Sequence, residues 1–194
     1  MDPKAETPRR VSEQRILASA RQRFESFGYR RTSVAEIARD AGIAVGTVYR
    51  YFKSKEDVFL AVVKDMNDAW LVLARDVLRQ PGTPTERLAR LGAVSVKFNQ
   101  ESKLLTSILN RDTEFVHAPL LDPIARNLVD QNVALMAEVL REGVEEGSLR
   151  AVDPERTAFV LFIGGQALFN QDHRPYEDVL PLYVDVLVRG LLPR

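Results

Sequence analysis

The sequence predicts an all-α protein: a three-helix helix-turn-helix domain followed by a helical body, about nine helices in total. Three observations predict it. Apolar residues recur at three- and four-residue steps through most of the chain. Capping residues and prolines punctuate those runs at helix-length intervals. No alternating stretch long enough for a strand appears, and there is neither an internal repeat nor a low-complexity tract.

Residues 1–11 are polar and carry Pro3 and Pro8, so they read as a disordered arm. Arg9 and Arg10 would either lie along a phosphate backbone or remain solvated. Helix 1 is expected over about Ser12–Phe27, with Ile16, Leu17, Ala20, Phe24 and Phe27 as its apolar stripe and Gly28 as its stop. Tyr29 would pack or hydrogen-bond near the start of helix 2. Ser33 with Glu36 three residues on forms a capping box. The short helix it opens presents Val34, Ile37, Ala38 and Ala41 at helical spacing. Gly42 allows a left-handed turn. A second short helix, about Val45–Tyr51, can turn Val48 and Phe52 back onto Ile37 and Ala41. Its opposite face is then free, which is the layout that places a reading helix in a DNA major groove.

Ser54, with Asp57 at the third helical position, opens helix 4, about Lys55–Arg79. Thr83-Pro84-Thr85-Glu86 combines an N-cap, a first-turn proline and a reciprocal glutamate, and opens helix 5. Helix 6 is expected over Lys103–Phe115. Asp122-Pro123 would start helix 7 and Gly147 end it; Asp153-Pro154 would start helix 8, ending near Asn170. Helix 9 would run from about Tyr176 to Leu191.

The run Gly42-Ile43-x-x-Gly46-Thr47-x-Tyr49-x-Tyr51-Phe52-x-x-Lys55 resembles the signature of the TetR family of bacterial transcriptional regulators. Phe24-x-x-x-Gly28-Tyr29-x-x-Thr32-Ser33 and Ile37-Ala38-x-x-Ala41-Gly42 extend the match upstream. The close resemblance covers about Ile16 to Phe59. It implies a DNA-binding regulator whose body pairs two chains and holds an effector.

The charge distribution agrees with a DNA-facing end. The whole chain is neutral, yet residues 1–55 hold 12 Lys/Arg against 6 Asp/Glu, and the remainder is acidic by the same margin. The candidate DNA contacts are Thr32, Ser33, Val45, Gly46, Thr47, Tyr49, Arg50, Tyr51 and Lys55, positions the resemblance also implies. Tyr49 and Tyr51 would direct hydroxyls to phosphates. Thr47 would bond a phosphate or a base edge. Arg50 would read a guanine or grip a phosphate. Gly46 would permit close approach, and Lys55 would pair with a phosphate beside a helix N-terminus. Thr32 and Ser33 would reach phosphate from helix 2. Ala44 and Val45 stand where the family often has small polar residues, which shifts weight to apolar contact and DNA shape.

In the body, helices 8 and 9 carry more apolar surface than one hairpin needs, and Gly164-Gly165-Ala167 would let another helix approach. A two-fold homodimer through these two C-terminal helices is expected. It would set two reading helices about 34–36 Å apart. The resemblance, not the spacing, implies an effector cavity. Its candidate lining is Met66, Trp70, Phe98, Ile108, Phe115, Gln131, Met136, Phe162 and Gln166, with Asn132 and Asn170 as further polar groups. Ordinary core packing accounts for each of these taken singly.

Catalysis finds little footing. There is no cysteine and only two histidines, His117 and His173. Glu114-x-x-His117 has a ligand spacing but no identifiable third ligand. No Gly-rich phosphate loop is present, so neither metal nor cofactor is expected. The longest nearly apolar run, Ala158–Phe169, falls short of the ~18 residues of a spanning helix, and the N-terminus lacks a signal-peptide core. These readings imply a cytoplasmic protein of two parts: 1–53 binds DNA, and 54–194 binds effector and dimerises. The function implied is a repressor that leaves a palindromic operator when a small, largely apolar effector binds. The alternatives are a DNA-binding dimer with no ligand response, and a helical enzyme whose N-terminal pattern is incidental.

Overall fold

The computed structural model describes residues 8–109, 112, 118–169, 182–183, 185–186 and 189–193. Eight helices are defined among them: α1 (Pro8–Arg31), α2 (Val34–Ala41), α3 (Val45–Tyr51), α4 (Lys55–Leu78), α5 (Pro84–Gln100), α6 (Lys103–Leu109), α7 (Ala118–Glu145) and α8 (Pro154–Phe169). Residues 182–183, 185–186 and 189–191 are also helical, within the span expected for a ninth helix.

Two compact units share these elements. The first comprises Met1–Asp68 and Ser102–Leu121, the second Ala69–Glu101 and Asp122–Arg194. Helix α4 thus contributes its residues up to Asp68 to the first unit and those from Ala69 to the second. In the first unit Ile16, Ala20, Phe24, Ile37, Ala38, Val48, Val58 and Phe59 have no solvent exposure and form the core. The second is built on Trp70, Leu71, Ala74, Val77, Leu78, Leu91, Leu135 and Val139, with a further cluster of Ala137, Leu140, Leu149, Ala158 and Leu191.

Helix starts follow the capping chemistry. Thr83 Oγ1 accepts from Glu86 N, and Glu86 carboxylate accepts from Thr83 N at 2.9 Å. These bonds hold the Glu86 carboxyl below its ordinary range. Asp153 Oδ1 accepts from Arg156 N at 2.9 Å and caps α8.

Four expectations need correction. Helix α1 begins at Pro8 rather than Ser12, so the arm expected over 1–11 loses its last four residues to helix; residues 1–7 lie outside the described set. Phe27 is half exposed, not part of the buried stripe. Gly28 (φ 74°) turns the backbone next, and Tyr29 takes the place against Phe24 instead. Helix α6 stops at Leu109, short of Phe115: Asp112 is non-helical, and its N–H bonds Ser107 carbonyl at 2.9 Å. Helix α7 starts at Ala118, which puts Pro123 inside it rather than at its first position. There the proline removes one N–H to C=O bond near the start of a long helix. Phe115, Glu114, His117, Asn170 and His173 lie outside the described residues.

Candidate nucleic-acid interface

The site begins with a well-determined α2. Ser33 Oγ accepts from Glu36 N at 3.3 Å, and Glu36 Oε2 accepts from Ser33 N at 2.9 Å, so the capping box is complete. At the other end Gly42 adopts φ 65°, ψ 39°; its N–H bonds Arg39 carbonyl and Ile43 N–H bonds Ala38 carbonyl. This paired closure is what a left-handed glycine permits. Arg15 of α1 donates to Ala41 carbonyl at 2.6 Å, adding a side-chain cap from 26 residues away.

A charged cluster fastens α1 to α2. Arg23 Nε donates to Asp40 at 2.5 Å and its NH1 to Glu36 at 3.1 Å. Its guanidinium also lies over the Phe27 ring, 5.2 Å from the centroid. The bond to Arg23 holds the Asp40 carboxyl below its ordinary value. Hydrogen bonds from Ser33, then the charge of Arg23, do the same for Glu36.

Helix α3 is held differently. Ala44 at its N-cap offers no side-chain acceptor. Only backbone bonds bracket it: Thr47 N–H to Ala44 carbonyl at 2.8 Å, and Phe52 N–H to Val48 carbonyl at 3.0 Å. Its hold comes from packing: Val48 is fully buried and Phe52 nearly so. The other face is open. Val45, Gly46, Tyr49 and Arg50 are exposed, Tyr49 to 52%, while Thr47 and Tyr51 are half-buried. A methyl group built at Gly46 would meet nothing, so this surface admits close approach.

Thr32, Lys55 and Ser33 have their polar groups engaged within the protein. Thr32 is 2% exposed, and its hydroxyl donates to Gly28 carbonyl at 2.9 Å. Its hydroxyl therefore closes the turn after α1 and is not offered to a phosphate. Lys55 Nζ donates to Tyr29 carbonyl at 3.0 Å and sits 4.2 Å above the Tyr29 ring, where burial lowers its pKa. Ser33 is exposed while its hydroxyl completes the capping box.

Tyr29, expected only to pack or hydrogen-bond near the start of helix 2, proves to be an organiser of the first unit. Its ring stacks on Phe24 at 6.0 Å and meets Phe59 edge-on at 5.1 Å. One residue thereby ties the end of α1 to the start of α4. Arg15 and Arg23 were likewise not foreseen. Their partners lie 26 and 13–17 residues away, beyond any helical spacing rule.

The candidate effector residues are divided between the two units. Met66 and Ile108 are buried in the first unit. Trp70, Phe98 and Met136 pack in the apolar cluster of the second. The Trp70 indole N–H donates to Asn132 Oδ1 at 2.6 Å, and Asn132 Nδ2 donates to Leu128 carbonyl at 2.7 Å. The polar group on an apolar wall thus has an internal partner. Gln131, Phe162 and Gln166 are half-buried.

Helix α8 exposes Phe159, Val160 and Ile163. The close approach expected at Gly164 is made within the chain: a methyl group there would lie 2.2 Å from Tyr183 Oη, which donates to Leu161 carbonyl at 2.9 Å. Gly165 faces open space.

A buried three-helix base carrying a short helix with a bare tyrosine–arginine face is the helix-turn-helix of DNA-binding regulators. Comparisons agree. The family model for bacterial regulatory proteins of the tetR family matches residues 16–62, and that for the tetracyclin repressor-like C-terminal domain matches residues 81–168. The uncharacterized HTH-type transcriptional regulator YhgD of Bacillus subtilis is 26% identical over 91% of this chain and 94% of that protein. The HTH-type transcriptional repressor KstR2 of Mycobacterium tuberculosis is 27% identical over 70% of this chain and 68% of that one. The crystal structure of FadR from Bacillus subtilis in complex with stearoyl-CoA superposes with a TM-score of 0.76 at 20% identity, covering 92% of this chain and 98% of that one. The chain belongs to the TetR family of bacterial transcriptional regulators. Among the described residues no helix is long and apolar enough to cross a membrane.

Proposed function

We propose that this protein is a homodimeric, cytoplasmic repressor that leaves a palindromic operator when a small, largely apolar effector binds its C-terminal part. Residues 1–53 bind DNA; residues 54–194 dimerise and take the effector. The observation that carries the DNA half is the open face of α3. Val45, Gly46, Tyr49 and Arg50 are exposed on a helix anchored by buried Val48 and Phe52. Arg50 reads a base edge or grips phosphate, Tyr49 and Tyr51 bond phosphates, and Thr47 bonds either. Ser33 and the N-terminus of α4 beside Lys55 face the backbone of the duplex. The exposed stripe Phe159, Val160 and Ile163 supports dimerisation through α8 and the C-terminal helical residues. The stearoyl-CoA in the FadR complex supports an effector with a long apolar part.

Selection from a random duplex pool tests the DNA half, followed by titration of the enriched site across salt concentrations. A palindromic consensus with a steep salt slope is expected. Arg50→Ala should weaken binding without unfolding the protein. No enrichment by protein that has been unfolded, freed of small molecules and refolded would refute the reading.

One observation favours a second reading, a DNA-binding dimer with no ligand response. Trp70, Phe98, Met136 and Asn132 are already packed against one another or hydrogen-bonded. Trp70 emission during titration with fatty acids and acyl thioesters separates the two: saturable change coupled to operator release belongs only to the repressor reading.

A further inference from the structure

The second unit contains a charged groove that neither the DNA face nor the candidate effector residues account for. Its volume is about 350 Å³, and it is lined by Arg75 and Leu78 of α4, Arg79 just past the end of that helix, Arg87 of α5, and Leu135, Glu138, Val139 and Glu142 of α7. None of the nine candidate effector residues is among them. The sequence explains the layout. Arg75 and Arg79 are four apart, and Leu135, Glu138, Val139 and Glu142 recur at three- and four-residue steps, so each set shares one helix face. Leu78, Leu135 and Val139 are buried and make an apolar floor.

The charges on the walls are not equivalent. Arg87 is committed: its Nε donates to Leu78 carbonyl at 2.5 Å and its NH1 to Glu142 at 2.6 Å, leaving the side chain 14% exposed. Glu142 is therefore answered by Arg87. Arg75 and Arg79 are exposed, and their side chains have no hydrogen-bond or ion-pair partner among the described residues. Glu138, also exposed and without a partner, is the one carboxylate left against them. Two guanidiniums stand free beside a fixed third. Cations near a helix C-terminus suit the helix dipole, which explains their sign. It does not explain their convergence with Arg87 on a groove with an aliphatic floor.

We propose that this groove is an oxyanion site, taking a small organic carboxylate or phosphate. Arg75 and Arg79 supply forked N–H pairs that match two oxygens of either group. The organic part lies on Leu78, Leu135 and Val139. Arg87, clamped by Glu142, shapes the groove rather than gripping the ligand. Glu138 opposes the anion and sets a modest affinity.

The site is independent of the effector reading, and its test uses no DNA. The full-length protein is titrated with octanoate and with inorganic phosphate, read by calorimetry and by emission of Trp70. That residue is the chain's single tryptophan and shares an apolar cluster with all three floor residues. Saturable binding of octanoate is expected, weakened about ten-fold or more in the Arg75→Ala/Arg79→Ala double variant through loss of charge-assisted hydrogen bonds. Glu138→Gln should bind more tightly. Arg156→Ala, on α8 and outside the groove, should bind as the native protein does. Phosphate displacing octanoate means that the oxyanion itself is recognised; octanoate binding alone means that a carboxylate with an apolar tail is required. Failure of both probes to saturate overturns the proposal. So does octanoate binding that the double variant leaves unchanged, which would locate the octanoate in another cavity. Should the double variant misfold, Glu138→Gln decides: tighter binding supports the site and unchanged affinity overturns it.

Discussion

Replacing Asn132 by leucine asks whether this polar residue serves the fold or a ligand. Trp70 is 8% exposed, and its indole N–H has Asn132 Oδ1 as acceptor at 2.6 Å. Phe98 covers the same ring, 5.0 Å between centroids. Asn132→Leu keeps the approximate volume and removes the acceptor, so a buried donor is left unsatisfied, at a cost of about 1–3 kcal/mol. Trp70→Phe removes the donor. In that background the leucine no longer leaves an orphan, and its cost should fall by about 1–2 kcal/mol. The four proteins of the cycle would be unfolded in urea and followed by far-ultraviolet circular dichroism, because the only tryptophan is itself mutated. Protein concentration must be fixed, since association shifts apparent stability. Additivity within about 0.5 kcal/mol would refute the reasoning and return Asn132 to the pool of ligand groups.

Three further outcomes follow from other parts of the structure. Ser33→Ala removes the acceptor for the Glu36 N–H while leaving the backbone half of the capping box, and should destabilise the protein by about 1 kcal/mol, seen as a lower urea midpoint with unchanged slope. Glu36 and Asp40 have depressed pKa values in the folded state, so the stability they contribute is present above their ordinary values of 4.5 and 3.8. It is lost as pH falls through the lowered ones. The melting temperature should therefore drop on acidification, and less steeply in Arg23→Met, where both carboxylates lose a partner. Gly164→Ala should lower the melting temperature because the new methyl collides with Tyr183 Oη, and Tyr183→Phe, which lacks that hydroxyl, should partly restore it.

What the sequence showed and what it hid divide along a physical line. The caps at Ser33, Ser54, Thr83 and Asp153 were legible because each bond spans three residues of chain. The buried faces of α2 and α3 were legible because helical periodicity is local. The burial of Thr32, the grip of Lys55 on Tyr29 and the pairing of Trp70 with Asn132 were not, since their causes lie in tertiary packing. Thr32 and Lys55 read as polar residues on a DNA-facing stretch, and only the positions of Gly28 and Tyr29 show that their polar groups are already engaged. Asn132 read as a polar group that either core packing or a ligand would satisfy, and the partner that decides it stands 62 residues earlier. The end of α6 was misjudged because Phe115, seven residues after Ile108, keeps helical phase across a polar run, whereas Asp112 closes back onto Ser107.

These misread residues also account for how a seven-residue helix can present its face to a duplex. Helix α3 has no side-chain cap and is too short to be stable alone. Its position is inherited. Val48 and Phe52 bury it in the first unit, the Gly42 closure fixes where α2 ends, and Arg15 and Arg23 hold α2 to α1. Tyr29 then joins α1 to α4 through Phe24, Phe59 and Lys55. Thr32 closes the turn between α1 and α2 from inside. The internal engagement of Thr32 and Lys55 therefore makes them, on the proposed function, positioning residues: they brace the elements that hold the exposed Tyr49–Arg50 face.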